Sequence, residues 1–406
     1  VATFDVIVVG LGAMGSSAAY HLARRDVQVL GLEAFDIPHD QGSYHGVNRI
    51  FRLAYYEHPS YVPLMSRALE LWRALEESAG ERLVFVTGSV DAGPPGSEVF
   101  EGSVESCRLH DLPHEVLGSS DLSRRFPGFH LPADHRAVFQ PDGGFLASER
   151  CVVTHIMEAQ RLGATVHARE RVRDWSLLPG GGVRVVTDRA TYEAGTVVFT
   201  AGSWLGKLVG ELEPLAVAER QVLGWFQPRD PAVFSPDRFP VFNLEVEEGR
   251  YYGFGIFRVP GFKLGRYHHL GETTDPDRVD RTVRSADEEV LRTCLRRYFP
   301  AADGPTLSLK TCLFTNTPDE HFIIDRLSDE VLVAGGFSGH GFKFASVVGE
   351  ILADLATEGD TRHDVGLFRL ARFRSGLETS STEEHQGGTR VESEAGDDVG
   401  GVVQNP

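Results

Sequence analysis

The first thirty-three residues constrain the fold most. Phe4–Val9 reads as an apolar strand, Ala13–Arg24 as a helix and Val27–Glu33 as a second strand, with Gly10-Leu11-Gly12-Ala13-Met14-Gly15 between the first two. In a βαβ unit of this kind Gly10 permits the tight turn, Gly12 lets a pyrophosphate approach the backbone, and Gly15 allows close helix–strand packing. Glu33 ends the second strand ~20 residues on, where a carboxylate accepts hydrogen bonds from an adenosine ribose and disfavours a 2′-phosphate. Strand, turn, helix and acid together imply dinucleotide binding, with Ala13 and Met14 starting the helix at the phosphates. The motif alone does not separate FAD from NAD.

A second glycine-rich turn lies near the other end of the chain. Strand Val331–Ala334 runs into Gly335-Gly336, then Ser338-Gly339-His340-Gly341, then an apolar-periodic helix from Phe344 to Leu355. Glycine tolerates positive φ and leaves backbone N–H groups open to a ligand, and a helix N-terminus favours negative charge. Cys312 and Lys343 flank this scaffold.

Composition narrows the function classes. A net charge of −18 argues against a basic nucleic-acid-binding face. Four cysteines, Cys107, Cys151, Cys294 and Cys312, make no disulfide framework and no metal-ligand spacing. Apolar Val6–Val9 leads into a glycine turn rather than a cleavage site, and no apolar run approaches the ~18–20 residues that span a bilayer. A reducing cytoplasm is the expected compartment. Of 40 basic side chains only Lys207, Lys263, Lys310 and Lys343 are lysines. Lysine is the basic residue whose pKa moves readily, so Lys263 and Lys343 stand out as candidates for chemistry.

Between the glycine turns, helices are expected over Tyr61–Leu75, Glu149–Leu162 and Ala286–Tyr298. A meander over Val166–Trp175, Gly182–Asp188 and Ala190–Glu193 leads to strand Val197–Thr200, and Val217–Leu270 is rich in strands. Prolines break Gly88–Pro141 into loops and short strands. Residues 376–406 hold seven acidic residues and one arginine without periodicity, and a disordered acidic tail is expected there.

Ordered motifs run from Phe4 to about Phe373: GxGxxG, GSYHGVNRIFR, YVPL, TAGSW, YYGF, KTCLFTNTPDEHFIID and GFSGHGFKF. Together they resemble the monomeric sarcosine oxidase and N-methyl amino acid oxidase family, FAD-dependent amine oxidases of the D-amino-acid-oxidase-like superfamily. The resemblance implies an α/β (α+β overall) fold. A Rossmann-type FAD-binding domain over 1–85, 140–216 and 305–375 would interleave with a substrate domain over 86–139 and 217–304, built on a mainly antiparallel sheet. It also implies a monomer that oxidises small secondary amino acids with O2, forming an imine that hydrolyses and releasing H2O2.

Residue by residue, the resemblance implies FAD attached through its 8α carbon to Cys312. Ser43, His45, Arg49, Gly336, Ser338, Gly339, Gly341 and Lys343 join the first glycine motif as cofactor contacts. Arg49 falls beside the flavin ring. Arg52 and Lys343 match a clamp on the substrate carboxylate, Tyr252 a substrate-site tyrosine, and Lys263 a lysine that assists oxygen reduction. The family histidine lies four residues beyond that lysine, where this chain has Tyr267. One inserted residue selects His268, given a β-bulge to turn it inward, with His269 as the fallback. Asn243 is a further departure, at a position expected to be apolar. His340 is expected to serve the glycine turn, His321 to be structural, and His58, His110 and His130 to lie on the surface. Other classes remain open: a same-fold dehydrogenase with another electron acceptor, an NAD-dependent oxidoreductase, and a non-catalytic flavin-binding protein.

Overall fold

The computed structural model describes residues 1–373. The acidic tail expected over 376–406 lies outside the described residues. Two eight-stranded sheets and one three-stranded sheet organise the chain. In the first sheet, strand Ala2–Val9 pairs in parallel with Val29–Leu32 on one side and Thr191–Phe199 on the other. Val6 and Val8 pack toward helices Ala13–Ala23, Tyr61–Ala79 and Ala345–Thr357, whereas Ile7 and Val9 pack toward the opposite layer. Burial on both faces is why Val6–Val9 shows no polar alternation.

Thr191–Phe199 forks this sheet. Its first half pairs antiparallel with Val183–Thr187, and its last three residues pair in parallel with Val331–Gly335. The expected break between Ala190–Glu193 and Val197–Thr200 is absent, because one nine-residue strand serves both partners. The fork sets the second glycine-rich turn next to the first.

The second sheet runs Thr306–Asn316, Val217–Phe226, Phe262–Arg266, Gly249–Phe254, Val241–Val246, Ser89–Gly93, Arg136–Gln140, Glu115–Gly118. All its pairings are antiparallel except Val241–Val246 with Ser89–Gly93. Its back face buries Phe226, Phe242, Phe262 and Leu264 against Leu291 and Leu295 of helix Ser285–Tyr298. Each such side chain is worth about 1.5–3 kcal/mol in burial. With that face committed, period-two alternation turns Asn243, Tyr252, Lys263, Gly265 and Cys312 the other way.

The loop-rich reading of Gly88–Pro141 missed helix Glu98–Leu109. Ser97 caps it by accepting from Phe100 N at 3.2 Å, and Val99, Phe100, Val104 and Cys107 are buried. The signal was present: a serine after Pro94-Pro95, then apolar residues at helical spacing. Among the described residues no helix is long and apolar enough to cross a membrane.

Candidate active site

The two glycine turns border one long cavity of about 410 Å³. Gly10, Gly12, Ala13, Met14, Glu33, Ser43, Arg49, Gly336, Ser338, Gly339 and Gly341 all line it. The first three glycines divide the work. A Cβ on Gly15 would lie 1.9 Å from Gly10 O and 2.5 Å from Thr200 Oγ1, so Gly15 is a packing residue and does not reach the cavity. A Cβ on Gly12 would meet nothing nearer than the Tyr44 ring at 3.7 Å, which leaves its backbone open to a ligand. Glu33 accepts from Leu11 N at 2.8 Å and Phe35 N at 3.0 Å, and burial raises its pKa.

A small cavity of about 40 Å³ adjoins the first, sharing Arg49, Phe314, Gly339 and Phe342 with it. Arg52, Asn243, Tyr252, Cys312 and Lys343 also line it, so the structure brings together side chains separated by nearly three hundred residues. Register explains the convergence. Asp91, Asn243, Tyr252 and Gly265 stand in one row across four strands. Trp225, Lys263 and Phe254 form the next row.

Cys312 is buried on the edge strand, with Arg49 Nη2 3.8 Å from its Sγ. The Arg49 guanidinium is itself fixed by the carbonyls of Ser43, His45 and Asn48 at 2.5–2.8 Å. Burial raises the Tyr252 pKa, and the ring lies over Gly265, where a Cβ would be 2.4 Å from Tyr252 Cζ. His340 bonds Tyr55 Oη at 2.6 Å and Glu320 O at 3.0 Å, lines the small cavity, and is pushed down to about 4 by burial.

Arg52 and Lys343 are both buried, but Arg52 is not left without a partner. Its Nη2 donates to both oxygens of Glu57 at 2.6 Å and its Nη1 to Ala54 O at 2.7 Å. Burial raises the Glu57 pKa, yet Arg52, His340 and Lys343 outweigh it and hold the carboxyl down to about 2. Lys343 Nζ donates to His340 O at 2.7 Å, and burial followed by repulsion from Arg52 lowers its pKa to about 7.

Lys263 lines neither cavity. Its Nζ donates to Gly46 O, Asn48 O and Asn48 Oδ1 at 2.7–2.9 Å and lies 4.4 Å from the Phe254 ring centre. Burial and Arg49 push its pKa down from 10.5, whereas three acceptors match the three donors of an ammonium. His45 also lies outside both cavity walls; it is buried with both ring nitrogens unpartnered, and burial pushes it down to about 3.

His268 is placed differently from the expectation. No bulge interrupts the pairing of Gly249–Phe254 with Phe262–Arg266, and Tyr267 keeps the parity of Lys263. Tyr267 therefore lines the small cavity, 5.2 Å from the Tyr252 ring centre. His268 begins a left-handed turn at φ 56° and points away, bonded at 2.9 Å to both Glu219 and Glu320. His269 is no substitute: it is buried against Asp287 at 3.0 Å. Tyr267, Glu57 and Asp91 were missed in the sequence. Alternation from Lys263 could have found Tyr267; a carboxylate five residues after Arg52 was the signal for Glu57.

Comparison with known proteins adds to this geometry. The sequence matches the family described as FAD dependent oxidoreductase over residues 5–355. The chain belongs to that family. Among the relatives of this FAD dependent oxidoreductase, the monomeric sarcosine oxidase of Streptomyces avermitilis is 42% identical over 378 residues, covering 91% of this chain and 98% of its own. An N-methyl-L-tryptophan oxidase of Yersinia pestis is 36% identical over 375 residues, covering 91% of this chain and all of its own. The structure of NikD, an unusual amino acid oxidase essential for nikkomycin biosynthesis, superposes with a TM-score of 0.81 at 28% identity, covering 91% of this chain and 98% of that one.

The large cavity fits a flavin dinucleotide on its own terms. Gly12 presents bare backbone at the N-terminus of helix Ala13–Ala23, Glu33 lies at the end of its strand for the ribose, and the second glycine turn borders the other wall.

Proposed function

We propose that this chain is an FAD-dependent oxidase of secondary amino acids, N-methylated or cyclic, that forms an imine and reduces O2 to H2O2. The observation that supports it most is the small cavity, lined by Arg52, Lys343 and Tyr252, which shares Arg49, Phe314, Gly339 and Phe342 with the large one. Bound FAD would supply the acceptor for the hydride equivalent leaving the carbon next to nitrogen, while the nitrogen gives up its proton as C–N becomes C=N; water then hydrolyses the imine, and O2 takes the two electrons and two protons as H2O2. Lys343 holds the substrate carboxylate together with the share of Arg52 that Glu57 leaves. The reacting amine must be neutral, and lowering a pKa near that of lysine by ~3 units takes about 4 kcal/mol. Arg52 and Lys343 contribute by repelling an ammonium. Tyr252 and Tyr267 wall the cavity, and Lys263 sets positive charge behind Phe254 to assist oxygen reduction.

Cofactor attachment through Cys312 belongs to the same reading. Cys312 Sγ lies on the wall of the small cavity beside Arg49, whose Nη2 is 3.8 Å away, at the junction of the two cavities. The two large sheets support a division into an FAD unit and a substrate unit, except that strand Thr306–Asn316 with Cys312, expected in the FAD unit over 305–375, pairs into the second sheet.

The direct test is peroxide release from a panel of sarcosine, N-methylated amino acids and cyclic imino acids, with primary amino acids as controls. Peroxide from the secondary amines is expected; none from any of them would end the proposal. Cys312→Ser and Cys312→Ala should leave little flavin on acid-precipitated protein, and flavin retained by both would show that the attachment lies elsewhere.

A further inference from the structure

Asn243 is the one amide side chain on the wall of the small cavity. It is 2% exposed, and its Nδ2 donates to Asp91 Oδ1 at 2.7 Å. Asp91 Oδ2 in turn accepts from Ser103 Oγ at 2.9 Å, on the helix Glu98–Leu109. Burial raises the Asp91 pKa, opposed by Arg52 and by the two donors Asn243 and Ser103; as a carboxylate Asp91 only accepts, so the amide nitrogen is the end of Asn243 that faces it. Cross-strand register enforces this: Asp91 and Asn243 are paired neighbours on the parallel strands, and Asn243 is paired with Tyr252 on its other side. The amide oxygen is thereby turned away from Asp91. Among the described residues no donor reaches Asn243 Oδ1.

Asn243 Oδ1 is not one of the fully buried atoms without a partner, so on the cavity wall it keeps surface that a ligand's donor can reach. Here the neighbours on the wall are Arg52, Tyr252 and Lys343, which hold the substrate under the reading above. We propose that Asn243 Oδ1 sets substrate specificity by accepting a hydrogen bond from an O–H or N–H on the side chain of the substrate. Asp91 is the positioning residue that fixes the amide, and Ser103 fixes Asp91. The substrate class follows: N-methyl or cyclic amino acids carrying a hydrogen-bond donor beyond the α-carbon, in preference to apolar isosteres of the same size. A site built to hydrogen-bond a substrate group rejects the analogue that lacks it, because its own acceptor is left unpaired.

This inference rests on the secondary-amine reading, and one experiment separates the two. Racemic N-methylserine and N-methyl-2-aminobutyrate differ by a hydroxyl in place of a methyl, and sarcosine serves as the reference amine. The parent enzyme is expected to favour the hydroxylated substrate about tenfold or more in kcat/KM. Asn243→Leu should bring the ratio to within about twofold or invert it. Asp91→Asn, which can donate to Oδ1 and release the amide from its fixed orientation, should shrink the ratio as well. The bound-flavin spectrum checks that each variant is folded, and the ratio itself is a readout that a merely structural role would not move. Equal use of the two isosteres by a parent that oxidises sarcosine overturns the assignment and leaves the oxidase reading standing. A preference that survives in Asn243→Leu, or is untouched in Asp91→Asn, overturns it too. Failure to oxidise any of the three amines overturns this inference, while the oxidase reading stands or falls on the wider panel of N-methylated and cyclic amino acids.

Discussion

Two buried lysines sit in opposite kinds of surroundings. Lys263 is enclosed by backbone carbonyls and aromatic faces, with three acceptors within 2.9 Å and no carboxylate among them. Lys343 has one carbonyl at 2.7 Å and shares its neighbourhood with Arg52, Glu57 and Asp91. The first arrangement fixes a charge in place. The second makes a charge depend on what else is present, because Arg52, Glu57 and Asp91 are themselves ionisable. Two lysines equal in the sequence are thus unequal in what they can do: one suits a standing field, the other a reversible grip on a ligand.

The largest effect expected on the Lys343 side is from Arg52→Ala. Breaking a buried ion pair leaves Glu57 uncompensated and costs about 3–5 kcal/mol of stability. Denaturant unfolding measures it, and a loss below about 1 kcal/mol, the size of an exposed pair, would show the Glu57 network to be dispensable.

Lys263→Met comes next. It removes the fixed charge while keeping most of the stem's bulk, and reoxidation by O2 should slow at least ~100-fold, about 2.7 kcal/mol. Anaerobic reduction by substrate should change little. Stopped-flow separation of the half-reactions decides: unchanged reoxidation with collapsed reduction would move Lys263 into the substrate group and erase the contrast.

Lys343→Ala should weaken carboxylate substrates about 10- to 100-fold and spare a matched amine without the carboxylate. Because burial and Arg52 lower its pKa to about 7, its grip should loosen as pH rises through 7. A competing carboxylate whose affinity is flat between pH 6 and 8 would contradict a tunable cation.

The smallest effect concerns His268. Bonds to Glu219 and Glu320 raise its pKa to about 9, so its contribution is fully present below the unfolded value of 6.5 and is lost as pH rises through 9. The side chain is 38% exposed, so screening keeps the change below about 1 kcal/mol. Thermal melts of the parent and His268→Asn should diverge below pH 6.5 and converge above 9. A fall in turnover far beyond that stability change would return His268 to the reaction.

The legible part of this protein was local. Gly10, Gly12 and Gly15 act within one turn, and their roles follow from the atoms a Cβ would strike, so the βαβ unit and its ligand class could be read from a short string. The helix Ser285–Tyr298 and strand Val331–Gly335 were equally readable, since each buries a face whose period is visible in the residues themselves. The opposite wall was not local. Whether Tyr267 or His268 faces the cavity depends on an unbroken register between two strands, and a slip of one residue exchanges the faces. Asp91 beside Asn243 depends on a parallel pairing between strands 150 residues apart, which leaves no periodic trace in either one. Sequence by itself determined the family, the dinucleotide crevice and the residue types at the centre. Tertiary structure decided which charges are already answered and which side chains point inward, because ion pairing and strand register are properties of neighbours that the chain brings together only when folded.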